Sequence, residues 1–258
     1  MKILIANDDG IQANGIRTLA SALCDEHEVY IVAPDQERSA AGHALTLNMP
    51  IRVTETDIGI GVAKAWAISG TPGDCVKMGV NAILNVKPDI IITGINHGPN
   101  LGSDVLYSGT VSAAMEGAVL GYPSLAVSLA DLYGTTYDFK PTATFISKFL
   151  TKIHKINFPK RTILNINVPE GQLADMNGVC IAELGTRMYT DAYERRIDPR
   201  GKVYYWMAGE VIEDEAKSGT DIAAIMAKKI SITPVTFDMT YQSIMPDLEV
   251  AFSSSKCE

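Results

Sequence analysis

The chain has 258 residues, 47% of them apolar, and carries 22 Lys and Arg against 30 Asp and Glu, a net charge of −8. Length and composition support one large α/β domain or a domain with an appendage, and exclude a disordered chain. The acidic balance argues against gripping a nucleic-acid polymer, which leaves a basic footprint. A small acidic ligand stays within reach if a metal brings the positive charge.

In chain order, KILIA reads as a buried strand. GIRTLASALC follows with Ile16, Leu19, Ala20 and Leu23 at helical spacing, and EVYIVAP is a second strand closed by proline. TPGD, Thr71 to Asp74, is a capping box with proline at the first helical position. It opens a helix that places Val76, Val80, Ile83 and Leu84 on one face. PDIIITGIN is a near-continuous apolar strand, VSAAMEGAVLG a helix, SLAVSLA a strand, ATFISKFLTKIH a helix and TILNINVP a strand. Apolar strands alternating with helices predict a mostly parallel sheet covered on both faces, a three-layer α/β core. After about residue 170 the character changes. The stretch TRMYTDAYERRIDPRGKVYYWMAG predicts a hairpin arm turning at Pro199–Gly201, either a surface hairpin or a dimerisation arm. The expected organisation is therefore a single domain, 1–258, with a core over 1–170 and an arm and C-terminal oligomerisation segment over 171–258.

Cys24, Cys75, Cys180 and Cys257 lie far apart, without a CxxC pair or a neighbouring histidine cluster. This predicts reduced thiols in a cytoplasmic protein, not a zinc site or a disulfide framework. One lysine precedes ILIA, far short of a signal-peptide core, and no 18-residue apolar run occurs, so no membrane partner is expected.

In an open parallel sheet, ligands bind beyond the carboxyl ends of the strands. Three polar segments fall there: Asp8-Asp9-Gly10 after the first strand, DQERSAAGH after the second, and Asn96 at the end of IIITGIN. Adjacent carboxylates after a buried strand are costly without a cationic partner, and a divalent metal ion would supply one. In a regular strand the two would face opposite ways, so both reach one ion only if the chain turns, which Gly10 permits. Asn96, Asn100 and Ser108 are oxygen donors spaced by glycines, and SGTVSAAMEG puts Ser108, Gly109 and Thr110 at a helix start. Such a start serves either as an ordinary N-cap or as an anion cradle. His43 and His97 lie in these loops and could contact substrate.

NDDG, the ERS of Glu37-Arg38-Ser39, ISGTPGDCV and above all TGINHGPNLGSDVLYSGTVSAAMEG resemble the SurE family, the survival-protein nucleotidases. The likeness is co-linear as far as GTDIAAIMAKKISITPVTFDMT. The resemblance implies a Rossmann-like core and a dimer, or a tetramer, built by exchanged C-terminal segments. It also implies a metal-dependent phosphomonoesterase acting on nucleoside 5′- and 3′-monophosphates and on short polyphosphate. The family's metal ligands correspond to Asp8, Asp9, Ser39 and Asn96, and its phosphate-binding turn to Ser108, Gly109 and Thr110. Two departures are visible: Gly73 where the family has alanine, and AKKISITP in place of a glycine-tyrosine-valine lead into SITP. The all-oxygen donor set predicts one Mg2+ or Mn2+ per subunit.

On this reading Asp8, Asp9 and Asn96 are catalytic, with either aspartate as general base. Asn100, Ser108, Gly109, Thr110 and His43 contact substrate. A covalent aspartyl-phosphate enzyme would want D-x-D-G, and a zinc deacetylase an HxxH pattern; neither occurs. The rival from another class is a non-catalytic nucleotide-binding regulatory protein, against which stand two negative charges where a GxGxxG loop would cradle pyrophosphate.

Overall fold

A computed structural model of the chain describes residues 1–132, 134, 138–190, 192–209, 211–212 and 217–253. Asp191 of the predicted arm and Cys257 lie outside them. In chain order the strands and helices are β1 (Lys2–Ala6), α1 (Asn14–Leu23), β2 (Glu28–Pro34), β3 (Val53–Glu55), β4 (Lys64–Ile68), α2 (Pro72–Met78), β5 (Ile90–His97), α3 (Gly109–Val119), β6 (Ser124–Ala130), α4 (Lys140–Leu150) and β7 (Thr162–Pro169). There follow β8 (Val179–Ile181), β9 (Met188–Tyr189), β10 (Tyr193–Ile197), β11 (Val203–Met207), β12 (Val211–Ile212), α5 (Asp221–Met226), β13 (Ile230–Thr236) and α6 (Met245–Phe252).

Among the described residues the main sheet runs β3-β4-β2-β1-β5-β6-β7-β13-β8. From β4 to β7 every neighbouring pair is parallel, so those strands share one carboxyl edge. Burial follows the pleat. Ile3, Ile5, Ile92 and Ile166 face α1 and α4, whereas Leu4, Ile91 and Val76 form the layer with α2 and α3. Each such side chain contributes about 1.5–3 kcal/mol on burial, which is what holds helices to both faces. The expected capping box is present: Thr71 Oγ1 accepts from the Asp74 N–H, Asp74 accepts from the Thr71 N–H, and Pro72 opens α2. The helix closes in a π turn, Gly79–Ile83.

Two features fall outside the sequence expectation. The sheet does not stop near residue 170: β13 pairs antiparallel with β7, and β8 adds to β13 in parallel. Its Ser231 and Thr233 lie opposite Asn167 and Asn165, so a polar face hid the buried strand from a hydrophobicity reading. Helix α5 is capped by Thr220, whose hydroxyl accepts from the Ala223 N–H. The arm is a hairpin as expected, β10 pairing with β11 around Asp198–Lys202, and its described residues are exposed on both faces.

Candidate active site

The parallel strands bring the loops after β1, β2 and β5 to one edge. There they line a cleft of about 570 Å3 that includes Asp8, Asp9, Ser39, Asn96, Asn100 and Ser108. Asn7 shapes the first loop: its Nδ2 donates to the Gly10 carbonyl at 2.9 Å and its Oδ1 accepts from the Gly10 N–H at 3.2 Å. Gly10 takes φ 98°, and the turn lets both aspartates face the cleft.

Asp8 is only 5% exposed. Thr110 Oγ1 donates to its Oδ1 at 2.5 Å, and the Thr110 backbone N–H also serves the carboxylate. Gly109 allows this approach, because a Cβ there would lie 2.8 Å from both Cβ and Oδ2 of Asp8. Thr110, at the start of α3, thus holds the Asp8 carboxylate, and the helix dipole favours that negative charge. Thr110 is fully buried and acts on Asp8; of the three residues of this turn, Ser108 lines the cleft. Ser108 Oγ accepts from the Val111 N–H, so its own proton is available outward.

Asn96 commits Nδ2 to the Gly98 carbonyl at 2.9 Å, which leaves Oδ1 as its ligating end. Asn100 is held from below. Its N–H donates to Asn167 Oδ1 (2.8 Å), its carbonyl accepts from Asn165 Nδ2 (2.8 Å) and Asn167 Nδ2 (3.0 Å), and its Nδ2 donates to Ser128 Oγ (2.8 Å). Sequence reasoning missed Asn7, Ser128, Asn165 and Asn167. The available signal was two asparagines two apart, hence on one face, inside the apolar strand TILNINVP. Ser39 Oγ donates to Glu37 at 2.6 Å. His97 lines the cleft with its Nε2 3.6 Å from Asp131. His43 does not line it. Its Nε2 lies 3.2 Å from Glu116 Oε2 on α3.

The electrostatics ask for a cation. Asp8, Asp9, Glu37 and Asp104 line the cleft with no Lys or Arg among the lining residues. Desolvation, then the neighbouring Asp8 and Glu37 charges, push Asp9 up to about 7, and burial raises Asp8. Among the described residues no three His, Cys, Asp or Glu are placed to hold one ion by themselves; the donors grouped around the first loop are the Asp8 and Asp9 carboxylates, the Asn96 amide and the Ser39 hydroxyl. These hard oxygens fit Mg2+ or Mn2+ better than zinc.

Fold and site define an α/β protein of the doubly wound parallel-sheet class, with an acidic, oxygen-donor cleft at the carboxyl edge. The family model described as survival protein SurE matches residues 3–191. A 5′-nucleotidase SurE of Thermosynechococcus vestitus is 50% identical over 254 residues, covering 96% of this chain and 95% of that protein. One of Pelotomaculum thermopropionicum is 48% identical over 260 residues, covering 99% and 97%. The crystal structure of the SurE protein from Aquifex aeolicus superposes with a TM-score of 0.84 at 36% identity, covering 97% of this chain and 99% of that one. The chain belongs to the SurE family.

Proposed function

We propose that this protein is a metal-dependent phosphomonoesterase that hydrolyses nucleoside 5′-monophosphates, with 3′-monophosphates as second substrates. The observation that carries the reading is the convergence of Asp8, Asp9, Asn96 and Ser39 on one acidic cleft with no Lys or Arg among its lining residues. Relatives about half identical over nearly their full length carry the name 5′-nucleotidase. Asp8, Asp9, Ser39 and Asn96 would hold one Mg2+ or Mn2+. When bound, the ion supplies an acidified, positioned water and offsets the charge that would otherwise repel phosphate.

The chain's own groups do the rest. Ser108 donates its hydroxyl proton, and Gly109 its N–H, to phosphoryl oxygens, while Asn100 fixes the loop that presents them. The Asp8–Asp9 pair takes the proton of the attacking water, and Thr110 keeps Asp8 Oδ1 in place during that transfer. The free thiols of Cys24, Cys75 and Cys180 suit work in the cytoplasm. Among the described residues no helix is long and apolar enough to cross a membrane.

We assign the exposed apolar arm and C-terminal segment to a homodimer or homotetramer with exchanged C-terminal segments. Trp206, Met207 and Phe252 are 59%, 80% and 67% exposed, as an interface side chain is in an isolated protomer. The function is tested by phosphate release from 5′- and 3′-nucleoside monophosphates by EDTA-treated protein before and after adding Mn2+. Nucleotide binding without release under any metal would favour a binding protein instead.

A further inference from the structure

Glu116 is a buried carboxylate in the middle of α3 that the proposed chemistry does not use. It has two partners: Lys77 Nζ of α2 at 2.7 Å and His43 Nε2 at 3.2 Å. His43 belongs to the irregular segment between β2 and β3, the segment that carries Ser39 into the cleft. One helical turn before Glu116, Ser112 Oγ donates to the Gly42 carbonyl at 2.6 Å, and the Gly42 N–H donates to the Tyr107 carbonyl at 3.2 Å. Further along, Ala44 O accepts from Thr71 Oγ1 at 2.7 Å, and the Thr46 N–H reaches the Asp74 carboxylate at 3.1 Å.

The segment needs holding. Ala40, which lines the cleft beside Ser39, takes φ 55°, a left-handed conformation that a residue with a Cβ rarely adopts, and Gly42 takes φ 53°. Contacts to α3 and α2 fix what local preference does not.

We propose that Glu116 and His43 form a latch that positions Ser39: α3 carries the Ser108–Gly109 turn at one end and, through Glu116 and Ser112, pins the Ser39 loop over the same cleft. The inference rests on Ser39 being a ligand of the proposed metal. Both residues are positioning residues, since neither lines the cleft. Lys77 keeps Glu116 compensated when His43 is removed, so His43→Ala should fold normally.

The test is Mn2+ titration of the full metal-free chain by calorimetry, with melting temperatures recorded alongside. His43→Ala is expected to weaken Mn2+ binding by about fivefold, the effect of losing one side-chain hydrogen bond. His43→Gln, which keeps a donor for Glu116, should recover most of it. Glu116→Gln should weaken binding likewise. In a Ser39→Ala background His43→Ala should add nothing, because the latch acts only through Ser39. Equal weakening in both backgrounds, or unchanged binding in folded His43→Ala and Glu116→Gln, overturns the latch. Ser39→Ala with undiminished Mn2+ affinity overturns it as well, and metal-dependent phosphate release persisting there would leave the nucleotidase reading standing.

Discussion

Asp8 sits where a carboxylate is most expensive, and the chain compensates it with the start of α3. The strength of that compensation can be measured. Thr110→Val keeps shape but removes the hydroxyl that reaches Oδ1, and should cost the metal-free protein about 1–3 kcal/mol by urea denaturation, because a buried acceptor is left unmade. Asp8→Asn should fold and melt near the parent temperature yet release no phosphate; near-normal turnover would remove Asp8 from the chemistry. Asp9 links the site to pH. Its folded-state value, about 7, lies above the 3.8 of an unperturbed aspartate, so the folded state holds a proton that the unfolded chain has lost. Stability of the metal-free protein is therefore full below about 4 and falls as pH rises toward 7, by on the order of 1–3 kcal/mol for a half-buried group. A bound divalent cation favours the ionised pair, so the rise in melting temperature on adding Mn2+ should grow from pH 5 to pH 8 and shrink in Asp9→Asn. The acids themselves were legible in the sequence, because charge directly after an apolar strand is an anomaly. Their partner Thr110 was legible only as a helix-start residue: 102 positions separate it from Asp8, and no local pattern records that contact.

At the scale of elements, α3 and the polar face of β7 set the geometry of the cleft. Gly109→Ala should cut turnover at least tenfold while α3 still forms, since the added Cβ would meet Asp8 at 2.8 Å and displace it. Registration across the sheet puts Asn96, Ser128, Asn167 and Ser231 in one row on four successive strands, under the loop that carries Asn100. Asn167→Ala removes two of the three side-chain bonds to the Asn100 backbone, and steady-state kinetics should show a higher KM together with a lower kcat. The parallel core, the capping box and the hairpin could be read from periodicity and turn chemistry. The antiparallel β13 could not, because two of its five buried residues, Ser231 and Thr233, are polar and their burial depends on strands distant in sequence. The contact of His43 with Glu116 was equally unreadable, because 73 positions separate the two and only the packing of that loop on α3 brings them together.

For the molecule as a whole, the arm and the C-terminal segment carry most of the large exposed apolar side chains, including Tyr205, Trp206, Tyr241 and Phe252. A surface of that kind marks an interaction site. Replacing Tyr205 and Trp206 by Ser should shift the protein toward monomer in light scattering without unfolding the core, whereas an unchanged oligomer would place the interface elsewhere. The sequence resemblance and the superposed Aquifex aeolicus structure agree on the core fold.

The central claim is that the acidic cleft is a metal-dependent phosphatase site. The most direct measurement is phosphate release from a panel of 5′- and 3′-nucleoside monophosphates by EDTA-treated protein, before and after adding Mn2+ or Mg2+, with Asn96→Ala in parallel. Release is expected to require the metal and to collapse in the variant. Release that is indifferent to metal, or no release while nucleotides still bind, would contradict it.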